Sequence, residues 1–358
     1  MNIQDKMKHL LSTRRTFLGG AVSLCASPLL AQVAEGRKPP PVRGLVLNVR
    51  DLRGNLDWPR LAHESHVNTL ATHFAPADVM PFIQSDFGRR FLDGCAKYGI
   101  QVEHELHALD YLLPRELFEK NPELFRMDEK GVRQKKSNGC FGNPRTLEIV
   151  AEKAVEVARV CRSSTGRYYY WMSDCAPACK CPKCRGLSHS DQAVLVENAI
   201  VKALRREIDP KATLSHLAYE RGTAVPRQVK PHEGLFLEFA PIFRWRRNHG
   251  PFNREDLPEG CDHLQQLDAL LELFPASTAQ VLEYWLDESL YCYYKKPLLK
   301  LVWDEDRTRR DIEAYARRGI RNYTTFACMI DDDYVREFGR ESLDCFGAYG
   351  RLLETHVK

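Results

Sequence analysis

Residues 67–107 read VNTLATHFAPADVMPFIQSDFGRRFLDGCAKYGIQVEHELH and contain one complete structural unit. A short apolar run, Val67–Phe74, precedes an amphipathic segment, Pro81–Tyr98, and a second short run, Ile100–His107, follows it. Gly99 separates the segment from the second run, at a position where a helix end favours left-handed dihedral angles. A strand, a helix and a strand in this order predict two parallel strands joined by a helical crossover.

The same alternation continues along the chain. We predict strands at Val42–Arg50, Val67–Phe74, Ile100–His107, Arg167–Ser173, Thr213–Tyr219, Gly234–Ala240, Gln280–Leu286 and Ile320–Ala327. We predict helices near Trp58–Ser65 and at Pro81–Tyr98, Pro144–Cys161, Ser190–Ile208, Asp262–Phe274, Thr308–Arg318 and Asp332–Leu353. Eight strands separated by helices predict an α/β fold, a single (β/α)8 TIM barrel over residues 42–358. An enlarged loop, Tyr111–Phe141, follows the third strand, and a cysteine-rich loop follows the fourth.

The N-terminus predicts an export signal. Arg14 and Arg15 precede the apolar stretch Phe17–Leu30, which is the twin-arginine pattern. That stretch is too short for a permanent membrane span, although an uncleaved, membrane-tethered N-terminus is the alternative. We therefore expect a twin-arginine signal peptide over residues 1–31, with cleavage near Ala31 or Ala34, followed by a linker over residues 32–41.

The signal implies a periplasmic or secreted protein. The twin-arginine translocase would be its partner during export, and no membrane contact is expected after processing. The chain has 52 Lys and Arg residues against 48 Asp and Glu residues. Residues 1–31 hold four of the basic residues and one acidic residue, which leaves 48 against 47 in the remainder. This near-neutral balance argues against a nucleic-acid partner.

Strand alternation predicts which side chains reach the mouth of the barrel. Active sites of such barrels lie at the C-terminal ends of the strands, and every second residue of a strand points inward. On the seventh strand, Glu283, Trp285 and Asp287 are predicted to align inward. The predicted mouth contains Arg50, His73, Glu105, His107, Asp174, Glu238 and Asp287, with Trp171, Tyr219 and Trp285 beside them.

Carboxylates and aromatic rings at one rim suit a sugar. Rings cover the apolar face of a pyranose, and two carboxyl groups flanking a glycosidic bond can serve as acid and as base or nucleophile. Asp174 follows the fourth strand directly and is the leading candidate, with Glu238 or Asp287 as the second carboxyl group. Structural roles are the alternatives. Glu103 and Glu105 would then pair with a barrel arginine, His73 would be a core histidine, and Trp171 and Trp285 would be packing residues.

Four cysteines, Cys175, Cys179, Cys181 and Cys184, lie in the sequence CAPACKCPKC. The C-x2-C pair is typical of zinc knuckles, so a structural zinc ion is one prediction, and no cofactor is expected for catalysis. Cys140, in the preceding long loop, is an alternative ligand. Disulfides or packed thiols are the other possibilities for a protein outside the cytoplasm.

Several short motifs carry a family resemblance. They are NPELF at residues 121–125, GVR at 131–133, CFGNP at 140–144, and Asp174 followed by CKCPKC at 179–184. Together they resemble an uncharacterised bacterial domain family over residues 65–290. That family is grouped with TIM-barrel glycoside hydrolases, near the α-glucuronidases and β-hexosaminidases, and the resemblance implies sugar hydrolysis. Hexosaminidases carry an Asp-Glu pair after the fourth strand, whereas Asp174 precedes a cysteine here, which argues against their substrate-assisted mechanism.

The leading hypothesis is an exported glycoside hydrolase acting on oligosaccharides. A non-catalytic carbohydrate-binding barrel would keep the aromatic residues without the paired acids. A metal-dependent hydrolase using His73 and His107 is the third hypothesis.

Overall fold

The computed structural model describes residues 40–174, 176–242, 262–292 and 294–356. The predicted signal peptide, most of the predicted linker and Cys175 lie outside the described residues. Within those ranges, no helix has the length and apolar character needed to cross a membrane.

Eight parallel strands form a closed barrel in sequence order, which confirms the predicted (β/α)8 TIM barrel. The strands are β1 (Arg43–Asn48), β2 (Thr69–Phe74), β3 (Gln101–His107), β4 (Arg167–Trp171), β5 (Thr213–Tyr219), β6 (Leu235–Ala240), β7 (Gln280–Glu283) and β8 (Asn322–Phe326). The described helices are α1 (Trp58–Glu64), α2 (Pro76–Gln84), α3 (Asp86–Tyr98), α4 (Leu109–Leu112), α5 (Pro144–Val160), α6 (His189–Glu207), α7 (His263–Leu271), α8 (Ser289–Cys292), α9 (Glu305–Ala316), α10 (Asp332–Phe338) and α11 (Asp344–His356).

Two predicted helices are each divided in the structure. The helix predicted over Pro81–Tyr98 is interrupted at Ser85, whose extended backbone separates α2 from α3 and whose hydroxyl accepts a hydrogen bond from Gly88 N. The last predicted helix is divided after Phe338, because Gly339 has a φ of 78° that a helix cannot continue through. A serine cap and a left-handed glycine are the local signals of these breaks.

The register of the strands determines which side chains share the barrel interior. Asn48 lies opposite His73, and His73 lies opposite Glu105 on the next strand. His107 likewise lies opposite Trp171 on β4. The rings of His73 and Phe326 meet across the barrel at 4.9 Å, and those of His107 and Trp171 meet at 5.2 Å, so His73 and His107 point inward as alternation predicts.

The inward alignment predicted for the seventh strand is wrong for Glu283 and Trp285, and Asp287 lies beyond the end of β7. Gln280 lies opposite Glu238 and points inward, so alternation turns Glu283 and Trp285 towards the outer helices. There, Glu283 accepts a hydrogen bond from the Tyr315 hydroxyl at 2.5 Å, and Trp285 Nε1 donates to Asp311 Oδ2 at 3.1 Å. Because α9 supplies these partners, both polar groups are satisfied outside the barrel.

The last helix, α11, packs against the backbone of the residue that directly follows α1. A Cβ atom on Gly350 of α11 would lie 1.7 Å from the carbonyl oxygen of Ser65. A Cβ on Gly347, one turn earlier, would meet only the guanidinium of Arg351, at 3.1 Å. Position 350 therefore requires glycine because the neighbouring atom is backbone, whereas position 347 faces a flexible side chain.

We expect Gly350→Ala to lower the free energy of unfolding by about 2 kcal/mol or more, because the backbone of α11 or of Ser65 must move. Gly347→Ala is the matched control in the same helix. It should leave stability unchanged or raise it by up to about 1 kcal/mol through helix propensity. Urea unfolding followed by circular dichroism measures both variants, and equal stabilities would contradict this account of the α11 contact.

Candidate active site

Five rings pack together at the C-terminal ends of the strands and form what we call the aromatic floor: His73, His107, Trp171, Tyr284 and Phe326. The His73 ring centroid lies 5.1 Å from that of His107, 5.4 Å from Trp171 and 4.9 Å from Phe326. Tyr284 stacks on Phe326 at 5.3 Å. Edge-to-face and stacked contacts at these distances fix the rings relative to one another.

His73 is a neutral member of this floor. Its Nδ1 lies 2.9 Å from the carbonyl oxygen of Glu105, which can only accept, so Nδ1 carries the proton. Burial, together with the nearby charge of His107, lowers the pKa of His73 to about 3. The ring therefore stays uncharged at neutral pH and acts as a fixed surface.

A polar layer lies directly beneath the floor. Trp171 Nε1 donates to Glu238 Oε2 at 2.7 Å. Gln280 Nε2 lies 3.4 Å from Glu238 Oε1 and 3.4 Å from Glu105 Oε1. Both carboxyl groups are fully buried. Glu105 and Glu238 were predicted at the mouth, but they lie one layer below it, because alternation gives the direction of a side chain and not its height in the barrel.

One arginine supplies the positive charge of this layer. Arg167 forms an ion pair with Glu103 at 3.7 Å and donates to Gln280 Oε1 at 2.7 Å, which matches the structural alternative considered for Glu103. Burial raises the pKa of Glu238 to about 8, although the hydrogen bond from Trp171 acts in the opposite direction. Burial and the charge of Glu238 raise the pKa of Glu105 well above its usual range. Glu238 is therefore largely protonated at neutral pH, and burial shifts the pKa of Glu105 in the same direction.

Asp174 stands at the rim, above the aromatic floor. Its side chain is about half exposed, and its Oδ1 lies 3.7 Å from His107 Nδ1. The preceding residue is held from outside the strand, since Ser173 N donates to Asn138 Oδ1 at 2.9 Å. Asn138 is buried and has a φ of 57°, in the enlarged loop after β3. That loop therefore helps to position the end of β4, a role that the sequence analysis did not assign to Asn138.

Asp287 is the second acidic group associated with this rim. Its Oδ1 accepts hydrogen bonds from Ser289 Oγ at 2.6 Å and from Ser289 N at 3.1 Å. Burial raises the pKa of Asp287 to about 7. Burial, with the charges of Tyr219, Asp174 and Asp287, also raises the pKa of the Tyr284 phenol well above its usual range. The charges of Asp174 and Asp287 thus shift the pKa of the same phenol in the same direction.

The remaining residues predicted at the mouth are Tyr219, Arg50 and Trp285, and they lie either at the rim or outside the barrel. Tyr219 lines a cavity between β4 and β5 together with Asp174 and Arg221. Arg50 is exposed directly after β1, and its charge opposes the burial that raises the pKa of Asp51 to about 7. Trp285 faces α9, as described above, and does not contribute to the mouth.

Three aromatic residues at the mouth were missed by the sequence analysis. Tyr284 and Phe326 belong to the floor, and β8 alternation would have indicated Phe326. Phe74 follows the inward His73, is 47% exposed, and has a φ of 131°, which is rare for a residue with a side chain. Unusual dihedral angles at the C-terminal end of a strand often mark functional sites.

Four cysteines cluster beside this rim. The sulfur atoms of Cys140, Cys179, Cys181 and Cys184 all lie within 4.8 Å of one another. Among the described residues, these four form the group of potential ligands close enough to hold one metal ion, and His73 and His107 form no such group with a carboxylate. Cys140, the alternative ligand of the sequence analysis, thus joins three of the four predicted cysteines, while Cys175 lies outside the described residues.

Several solved structures have similar barrels. A glycoside hydrolase family 5 enzyme from Prevotella bryantii B14 gives a TM-score of 0.46 and 11% identity, covering 87% of this chain and 95% of that one. A chitinase catalytic domain from Pyrococcus furiosus gives 0.44 and 10%, covering 89% and 96%. The probable 3-DHS dehydratase AsbF from Bacillus anthracis gives 0.40 and 9%, covering 87% and 98%. At these TM-scores, such likenesses say nothing about activity.

Comparison with curated protein sequences gives no match. The model of the family described as Domain of unknown function (DUF4838) matches residues 61–284. This range contains Asp174, the four clustered cysteines and every ring of the aromatic floor except Phe326. The resemblance inferred from the short motifs is thereby confirmed, and the chain belongs to the DUF4838 family.

Proposed function

We propose that this protein is a glycoside hydrolase whose catalytic residues are Asp174 and Asp287. Two observations carry the proposal: Asp174 stands half exposed above the aromatic floor, and the charges of Asp174 and Asp287 both raise the pKa of the Tyr284 phenol in that floor. Asp287 is buried with a pKa of about 7, whereas Asp174 is half exposed beside His107. Environments that separate two carboxyl groups in this way are typical of an acid and its partner.

The roles follow from the two environments. Protonated Asp287 donates its proton to the glycosidic oxygen as the bond to the anomeric carbon breaks. The Asp174 carboxylate acts from the other side, either by attacking the anomeric carbon or by removing a proton from the attacking water. The aromatic floor covers the apolar face of the sugar ring, and His107, beside Asp174, faces its hydroxyl groups.

Glu238 is assigned a supporting role instead of the catalytic role considered for it from sequence. Its position in the layer below the aromatic floor distinguishes it from Asp174, and its Oε2 accepts a hydrogen bond from Trp171 Nε1 at 2.7 Å. This hydrogen bond engages Glu238 with the lower edge of the floor. Its contribution is to hold Trp171 in the plane of the floor.

Asp174→Asn and Asp287→Asn should each lower kcat/KM by at least about a hundredfold, because each removes one proton-transfer or nucleophilic group. The substrate is identified first, by screening the wild-type protein against aryl glycosides and uronic-acid oligosaccharides. Asp306→Asn makes the same chemical change on the exposed side of α9 and should leave the rate unchanged. In the wild type, kcat/KM should also fall as the pH rises through about 7, where Asp287 loses its proton.

Two results would contradict the proposal. One is hydrolysis that survives both substitutions in folded protein. The other is tight binding of an oligosaccharide without turnover, which would instead support the non-catalytic carbohydrate-binding barrel.

The Glu238→Gln variant distinguishes a role of Glu238 in holding Trp171 from a role in the reaction itself. Glutamine keeps a neutral acceptor for Trp171 Nε1, so kcat/KM should change by less than about tenfold, below the loss typical of a missing acid or base. Glu238→Leu leaves the indole N–H unpaired and should lower the free energy of unfolding by about 1–3 kcal/mol. A hundredfold loss of activity in a stable Glu238→Gln variant would restore Glu238 as a catalytic residue.

We also propose export through the twin-arginine pathway to the periplasm or beyond, on the evidence of residues 13–31 alone. Because the translocase recognises the arginine pair itself, Arg14→Lys with Arg15→Lys should retain the protein in the cytoplasm. Lys6→Arg with Lys8→Arg preserves the charge in the same way and should be exported normally. Cell fractionation and immunoblotting measure both, and normal export of the double-lysine variant would contradict the proposal.

A further inference from the structure

The spacing of the four clustered thiols fits a metal site. Cys140 Sγ lies 3.5 Å from Cys181 Sγ and 3.8 Å from Cys184 Sγ. Four sulfur atoms arranged tetrahedrally about zinc, each at about 2.3 Å, are separated from one another by about 3.8 Å. A disulfide requires a separation of about 2.05 Å, and all four cysteines are free thiols.

Hydrogen bonds to α6 fix the conformation of the loop that carries Cys179, Cys181 and Cys184. Cys184 N donates to Cys181 O at 2.9 Å, which closes the turn of the C-x2-C pair. The Gln192 side chain bonds both sides of Cys179, accepting from its N at 2.9 Å and donating to its O at 3.1 Å. The loop therefore presents its sulfur atoms inward from a fixed backbone.

Backbone donors point at two of the sulfur atoms. Met127 N donates to Cys179 Sγ at 3.2 Å, and Gly142 N donates to Cys184 Sγ at 3.3 Å. A Cβ atom on residue 142 would lie 2.7 Å from Cys184 Sγ, so only glycine permits this approach. Hydrogen bonds of this kind stabilise thiolates, which are the form that binds metal. Packed neutral thiols would not require them.

We propose that Cys140, Cys179, Cys181 and Cys184 bind one zinc ion in a closed tetrahedral site. Four sulfur ligands leave no open position, so the ion is structural and takes no part in hydrolysis. It ties the enlarged loop after β3, which supplies Cys140, to the loop after β4, which supplies the other three. The same two loops meet at the Asn138–Ser173 hydrogen bond beside Asp174, so the zinc ion would stabilise the rim. This site is independent of the reaction proposed above.

The test uses the full chain, purified without chelator and analysed for metals by mass spectrometry. We expect one equivalent of zinc per chain in the wild type and loss of nearly all of it in Cys181→Ser. Cys161→Ser is the matched control, because Cys161 is equally buried but lies outside the cluster, and it should retain the zinc. Wild-type protein reloaded with Co²⁺ should show thiolate-to-cobalt charge-transfer bands and tetrahedral d–d bands, a result that requires no variant to fold.

Three results would overturn the proposal. They are purified protein without metal, one equivalent of iron in place of zinc, or disulfides among these four residues in peptide mass spectrometry. Loss of glycosidase activity in the variants is not the criterion, so the outcome does not depend on the proposed reaction.

Discussion

Among the described residues, the polar layer inside this barrel holds three buried carboxyl groups and the guanidinium of Arg167. Arg167 pairs with Glu103, and Glu105 and Glu238 lie beyond that ion pair with Gln280 between them. Burying an unpaired carboxylate costs far more than keeping it protonated. Burial therefore favours the protonated forms of Glu105 and Glu238. A neutral Glu238 can still accept from Trp171, and this bond connects the polar layer to the rings above it.

The mouth of the barrel lies directly above that polar layer. Trp171 is held by its hydrogen bond to Glu238, and His73 is held by its hydrogen bond to the backbone of β3. The His73 ring therefore belongs to the floor as an uncharged group. Asp174 stands half exposed at the rim beside His107, and Asp287 is buried against Ser289 with a pKa raised to about 7. The contrast between the exposed Asp174 and the buried Asp287 is the basis on which we propose them as the reacting pair. The cysteine cluster lies outside the proposed reacting centre and joins the two loops that meet beside Asp174.

Much of this arrangement could be predicted from the sequence, because it depends on local periodicity. The eight strands, the inward orientation of His73 and His107, and the place of Asp174 after β4 all follow from alternation and strand ends. The orientation of β7 could not be predicted, because the partners of Glu283 and Trp285 lie on α9, later in the chain. The layer of the barrel in which Glu105 and Glu238 lie could not be predicted either, because alternation gives the direction of a side chain and not its height. Cys140 could be weighed only as an alternative, because the loop that brings it to the C-x2-C pair is a tertiary feature.

Infrared difference spectroscopy of the carboxyl groups tests the central claim most directly. Spectra of the wild type and of Glu238→Gln are compared at pH 7, where only a protonated carboxyl group shows the C=O stretching band. The account predicts that the wild type has a band from a buried, protonated carboxyl group and that this band is lost in the variant. It also predicts that the band disappears as the pH rises through about 8. An ionised Glu238 at pH 7, with no band to lose, would contradict the neutral layer and the division of roles built on it.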